Sequence, residues 1–181
     1  ALIVGATGLS GRYTRRGLKE NGWTVVTVSR GNVDLDFSDR HIAADLKDAS
    51  APSAALKAAQ DVTHVFYCTW SREANEDENV RVNALMIRNL FEGIAAAPVK
   101  HAALVTGLKH YLGSFDDYAQ FTPYTPFLES SPRLPGANFY YAQEDVLFEM
   151  AEKQGFNWSV HRPHTMIGLV IGNAMNMAVT L

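Results

Sequence analysis

Gly5, Gly8 and Gly11 constrain this chain more than any other residues. They follow a short apolar run, Ala1-Leu2-Ile3-Val4, and lead into a helical segment. A buried strand that runs into a glycine-rich turn and leaves it as a helix is the opening unit of a dinucleotide-binding βαβ fold. Gly5 permits the tight turn, Gly8 lets the backbone approach a pyrophosphate, and Gly11 lets helix and strand pack closely. The helix N-terminus then offers N–H groups and a positive dipole end to the phosphates.

Length and composition narrow the class further. A chain of 181 residues is expected to form one domain, residues 1–181. Its 47% hydrophobic content is ordinary for a globular protein. A net charge of −3 gives no reason to expect nucleic acid or an anionic membrane as partner. The single Cys68 excludes an internal disulfide and fits a reducing, cytoplasmic setting. No apolar run reaches the length of a membrane span, and no signal peptide is visible. The chain starts inside a strand and stops within Ala174–Leu181, which reads as an unfinished helix, so a partial chain is expected. Oligomeric state stays open, a homodimer included.

Along the chain, strands alternate with helices. Helices are expected over Gly11–Glu20, Ser53–Gln60, Asn79–Ala96 and Phe139–Lys153. Strands are expected at Ala1–Val4, Trp23–Ser29, His41–Ala44, Val62–Cys68, His101–Thr106 and Phe156–Val160. This alternation implies a doubly wound parallel sheet, an α/β Rossmann-like domain. Lys109–Asn138 breaks the pattern with four prolines and six aromatic residues. A loop of that length in a compact domain is usually functional, and its aromatic content points to a packed loop near a site.

The end of the second strand usually selects the nicotinamide cofactor. An acid there bonds the ribose 2′-hydroxyl, whereas Arg accommodates a 2′-phosphate. This chain has Ser29-Arg30-Gly31, with Asp34 and Asp36 later in a turn-like segment. Arg30 is read as a 2′-phosphate ligand, which favours NADPH over NADH. Asp45 closes the third strand, where an Asp commonly caps the next turn; similarity to the short-chain dehydrogenase/reductase superfamily implies contact with adenine instead, which the order of elements favours.

The chemistry departs from the common reductase pattern. Four residues after Tyr140 stands Glu144, and four after Tyr141 stands Asp145, where a Tyr-x-x-x-Lys pair would carry its Lys. An acid there raises a nearby Tyr pKa, so a working site takes its cation from elsewhere. Lys109, just past the fifth strand, is placed by topology at the carboxyl ends of the strands, where ligands bind in this fold.

The G-x-x-G-x-x-G spacing is similar to that of the short-chain dehydrogenase/reductase superfamily. Thr106-Gly-Leu-Lys-His-Tyr111, Asn138-Phe-Tyr-Tyr-Ala-Gln-Glu-Asp145 and Trp158-Ser-Val-His-Arg-Pro163 resemble a narrower group, the progesterone 5β-reductase/iridoid synthase-like family. Val62–Trp70 and Pro132-Arg-Leu134 fit it too. The resemblance implies NADPH-dependent reduction of an activated C=C bond in a small enone or enal. Hydride goes to the β-carbon while the carbonyl oxygen becomes an enolate. It implies a Tyr of the Asn-Phe-Tyr-Tyr motif and Lys109 as the catalytic pair. Tyr141 is preferred and Tyr140 stays open, because Tyr141 places Glu149 eight residues on, as in many relatives. The cofactor-binding set then comprises Gly5, Thr7, Gly8, Leu9, Gly11, Ser29, Arg30, Asp45, Leu46, Thr69, Thr106, Lys109 and Tyr141.

A phenol held at the substrate oxygen stabilises the enolate more than the ground state. Phe115, Trp70 and Tyr111 are candidate pocket walls, and core packing explains each equally well. His161 and His164 have no third ligand at a useful spacing, so no metal site is expected. Two other functions compete: a carbonyl reductase or epimerase of the same superfamily, and a non-catalytic NADP sensor.

Overall fold

The computed structural model describes residues 1–48, 54–113 and 125–170. Six strands form one sheet: β1 (Leu2–Val4), β2 (Val26–Ser29), β3 (Arg40–Ala43), β4 (His64–Tyr67), β5 (His101–Val105) and β6 (Asn157–His161). Their order is β3-β2-β1-β4-β5-β6, with every pairing parallel. The helices are α1 (Leu9–Glu20), α2 (Glu76–Gly93), the single turn α3 (Lys109–Leu112) and α4 (Phe139–Gln154). The doubly wound sheet expected from the alternation is the sheet observed.

Strand periodicity divides the core into two layers. Leu2 and Val4 of β1 face a large cluster with Val28, Val65 and Leu104, roofed by Ile87, Leu90 and Phe91 of α2 and Leu147 and Met150 of α4. Ile3 points to the opposite face with Ala6 and Val25, where Leu18 of α1 packs. Alternate residues therefore serve opposite layers, which is why these short strands read as unbroken apolar runs. Leu90 is fully buried, and its truncation to Ala is expected to cost about 2–5 kcal/mol.

Local chemistry sets the helix ends. Asn75 caps α2 by accepting the Glu78 N–H at 2.9 Å, and Glu76, Asp77 and Glu78 complement the dipole. Asn138 caps α4 by accepting the Tyr140 N–H at 3.0 Å, and Gly155 ends it in the left-handed region at φ 77°. Gly8 caps α1 with no side chain, so the first-turn N–H groups of α1 have no side-chain acceptor.

Several boundaries differ from expectation, among them the helix expected over Asn79–Ala96, which runs from Glu76 to Gly93 because Asn75 caps it. Within the helix expected over Ser53–Gln60, residues 54 and 55 are α-helical and Leu56–Ala59 wind as a 3₁₀ turn. Leu56 and Ala59, three residues apart on one side of it, are both buried. The second strand begins at Val26 rather than Trp23, because the Val25 N–H is taken by the Asp39 carboxylate at 2.7 Å. The long loop expected from Lys109 opens with the helical turn α3.

Chain order reverses between β1 and β4, with β2 and β3 on one side and β5 and β6 on the other. A crevice opens at such a switch point, beyond the carboxyl ends of the strands.

Candidate active site

A cleft of about 530 Å³ lies at that switch point. Gly5, Thr7, Ser29, Arg30, Asp45, Leu46 and Thr69 all line it, so the structure gathers seven of the residues expected to bind cofactor. Trp70 lines it as well. The glycines divide by cause. A Cβ on Gly5 would meet the Cys68 carbonyl oxygen at 2.7 Å, and one on Gly11 would meet the Gly5 carbonyl oxygen at 2.3 Å. The fold itself requires those two. At Gly8 the nearest atom is the Gly5 oxygen at 3.4 Å, and its backbone is extended, so nothing in the described chain forbids a side chain. Space kept open beside uncapped helix N–H groups suits a phosphate, and the cleft fits a dinucleotide on this ground. Leu9 is buried behind the turn, which leaves its backbone as the part able to meet a ligand.

The cleft walls are held by amides of α2. Asn83 accepts the Ser71 N–H at 2.7 Å and donates to the Ser71 carbonyl at 2.8 Å. Asn79 accepts the Glu73 N–H at 2.7 Å, and Asn89 donates to the Leu46 carbonyl at 2.8 Å. Lys47 and Glu73 pair across the two walls at 2.5 Å. Asp45 accepts the Lys47 N–H at 3.0 Å, so it does hold its turn while also lining the cleft. Asp36 is engaged by Arg15 at 2.7 Å. Burial pushes the Cys68 thiol up to about 12, which makes it no nucleophile.

Beside the cleft stands an aromatic and charged cluster. Trp70 stacks on Phe139 with ring centroids 4.9 Å apart, and the Lys109 ammonium lies 4.8 Å from the same Phe139 ring. Lys109 is 1% exposed and pairs with Glu76 at 2.6 Å. Asn138 donates to the Lys109 carbonyl at 2.9 Å, locking α3 to the start of α4. Thr106 is committed elsewhere: its N–H and hydroxyl both reach the His161 carbonyl, at 2.8 and 3.3 Å. It ties β5 to β6 instead of lining the cleft.

The two tyrosines stand in different surroundings. The Tyr141 hydroxyl donates to the His110 carbonyl at 2.7 Å and accepts the Leu134 N–H at 3.0 Å. Backbone groups use its proton and its acceptor side, and burial raises its pKa above the ordinary phenol value. Tyr141 fastens the 134 segment to α3. Tyr140 is half-buried, and its hydroxyl lies 3.4 Å from where a Cβ on Gly107 would stand, at the carboxyl end of β5. Glu144, one helical turn after Tyr140, occupies the position of the usual reductase Lys. It is 2% exposed and is met by Arg133 at 3.0 Å and Arg162 at 3.3 Å.

Tyr111 stacks on Phe127 at 4.7 Å, with the Arg162 guanidinium 5.8 Å from its ring, away from the cleft lining. Phe115 lies outside the described residues. His161 bonds Ser159 at 3.0 Å, and among the described residues no three His, Cys, Asp or Glu side chains gather as a metal site. Among the described residues no helix is long and apolar enough to cross a membrane.

Sequence reasoning missed Glu76, the Arg133–Glu144–Arg162 cluster and the Asn79/Asn83 supports. Glu76 lies before the helix expected from Asn79, and its partner lies 33 positions away. The one available signal was the four-residue spacing of Asn75, Asn79 and Asn83, which puts three amides on one helix face.

A cleft at the switch point of a six-stranded parallel sheet, with glycines shaping its phosphate end, defines the Rossmann-like class. The chain belongs to the NAD dependent epimerase/dehydratase family, whose model matches residues 1–179. It is 39% identical to an (S)-8-oxocitronellyl enol synthase of Nepeta cataria, over 100% of this chain and 50% of that protein. It is 38% identical to a 3-oxo-Delta(4,5)-steroid 5-beta-reductase of Arabidopsis thaliana, again over 100% and 50%. The resemblance drawn from the Thr106–Tyr111 and Asn138–Asp145 motifs is borne out by these relatives. The chain spans about half the length of the relatives it matches. Among solved structures, a short-chain dehydrogenase/reductase superfamily protein from Agrobacterium tumefaciens with bound NAD superposes with a TM-score of 0.70. Identity there is 18%, covering 92% of this chain and 49% of that one, so the likeness speaks for the fold alone.

Proposed function

We propose that the protein containing this chain is an NADPH-dependent reductase of activated C=C bonds in small enones or enals. The observation that carries this reading is the grouping of the Lys109 ammonium and the Tyr140 ring around Phe139, beside a cleft that fits a dinucleotide. Its relatives carry the names of enol synthases and a 5-beta-reductase, which supports the same class. When bound, the nicotinamide supplies hydride chemistry. Gly5, Thr7 and Gly8 would hold the pyrophosphate with the α1 N-terminus. Asp45, Leu46 and Thr69 would flank the nucleoside portions. Arg30, exposed on the cleft rim, would meet a 2′-phosphate, which is the ground for NADPH over NADH.

In this reading Tyr140 donates its hydroxyl proton to the substrate carbonyl oxygen as that oxygen gains charge. Such a donor contributes mainly in the transition state, where the charge develops. Lys109 supplies a fixed positive field in a water-poor setting, where charge interactions are stronger. Tyr141 holds the 134 segment to α3 without moving a proton. The missing Tyr-x-x-x-Lys counts against carbonyl reduction or epimerisation, since Glu144 holds that place neutralised by two arginines. The test is NADPH oxidation with a panel of enones and enals, NADH in parallel, and product analysis. Saturated carbonyl products with NADPH support the reading. An allylic alcohol product, or cofactor binding without turnover of any substrate, rejects it.

A further inference from the structure

Glu76 is an acid to which the chemistry above gives no role. It occupies the first helical position of α2, after the Asn75 cap. Its Oε1 pairs with the Lys109 ammonium at 2.6 Å and accepts the Phe139 backbone N–H at 2.9 Å. Its Oε2 accepts from Asn79 Nδ2 at 3.1 Å. One carboxylate thus meets the first turn of α2, the first residue of α3 and the first residue of α4. An acid that only complements a helix dipole needs no such partners. Its neighbour Glu78 behaves in that simpler way, pairing with Arg81 on the surface.

Burial gives the contact its weight. An ammonium buried without a counter-charge is strongly disfavoured, so the side chain of Lys109 holds its place only with an acid beside it. The Phe139 ring adds a weaker attraction from its π face. Phe139 directly precedes Tyr140, and their ring centroids lie 4.4 Å apart. We infer that Glu76 is a positioning residue: by binding the Lys109 ammonium and the Phe139 N–H at one oxygen, it fixes the ammonium in register with Tyr140. The effect on turnover rests on the reductase reading; the effect on Lys109 itself does not.

Glu76→Gln isolates the charge, because its amide oxygen still accepts the Phe139 N–H. Glu76→Asp keeps the charge on a shorter arm and serves as the conservative rescue. The first readout is reductive methylation of lysines with formaldehyde and an amine–borane, mapped by peptide mass spectrometry. The exposed Lys57, Lys100 and Lys153 are the internal standard. Glu76→Gln is expected to raise Lys109 labelling about tenfold against them, with Glu76→Asp returning it toward wild type. Lys109 labelling unchanged in Glu76→Gln overturns the inference. The second readout is a double-mutant cycle on NADPH-dependent reduction of an enal. Glu76→Gln and Lys109→Met are each expected to lower kcat by about 10²-fold, and the double variant no further. Losses that multiply in the double variant overturn the claim that Glu76 acts through Lys109. A wild-type protein inactive on every enone and enal rejects the reductase reading, while the labelling result still decides the role of Glu76.

Discussion

Replacing Tyr141 with Phe deletes one oxygen atom and strands two backbone groups. The His110 carbonyl loses its donor at 2.7 Å, and the Leu134 N–H loses its acceptor at 3.0 Å. Each unsatisfied group costs about 1–3 kcal/mol, and Leu134 is only half-buried, so the sum is about 2–4 kcal/mol. For a domain of this size that lowers Tm by about 5–12 °C. Tyr140→Phe leaves the His110 carbonyl and the Leu134 N–H with their partner, so it should melt closer to wild type than Tyr141→Phe does. Its kcat should instead fall by about 10²–10⁴-fold, as for loss of a proton donor. Thermal melts and NADPH oxidation on the two variants separate the roles. A Tyr141→Phe variant that melts with wild type and has lost turnover, beside an active Tyr140→Phe variant, would refute the reasoning.

Gly8→Ala should fold normally and bind NADPH more weakly by about tenfold or more, measured by fluorescence titration, because its Cβ meets only one oxygen at 3.4 Å. Gly11→Ala, with a backbone oxygen 2.3 Å from the new Cβ, should yield little folded protein by circular dichroism. Arg30→Ala should weaken NADPH by about 10–100-fold and leave NADH nearly unchanged, the worth of one or two charge-assisted hydrogen bonds. Burial holds the pKa of His110 below the ordinary histidine value, with the Ser131 carbonyl opposing that shift. The stabilisation from its neutral form is full above the unfolded imidazole's value of about 6.5 and is lost as pH falls through the lower folded value. Tm should therefore drop between pH 7.5 and 5.5 in wild type and drop less in His110→Gln.

Much of the fold was legible because its determinants are local. Leu2–Val4 and the glycines announce the first βα unit, and caps such as Asn138 and the stop at Gly155 lie next to the helices they bound. The cleft lining was legible for a related reason: the topology carries strand ends such as Val4 and Ser29, with Thr69 just beyond β4, to one place. The pair of tyrosines was not. Adjacent residues on a helix point about 100° apart, and only the three-dimensional path of His110 and Leu134 decides which hydroxyl is consumed. Glu76 was invisible because its meaning comes from Lys109 and Phe139, both far along the chain. The 3₁₀ turn at Leu56 escaped because an alanine-rich segment permits either winding, and tertiary packing makes the choice.

The most direct measurement follows deuterium from NADPH labelled at the nicotinamide C4 into the product of an enal. Deuterium at the β-carbon of a saturated aldehyde is the predicted result, with labelled product formed far more slowly by Tyr140→Phe than by Tyr141→Phe. Deuterium on the carbinol carbon of an allylic alcohol would contradict the account.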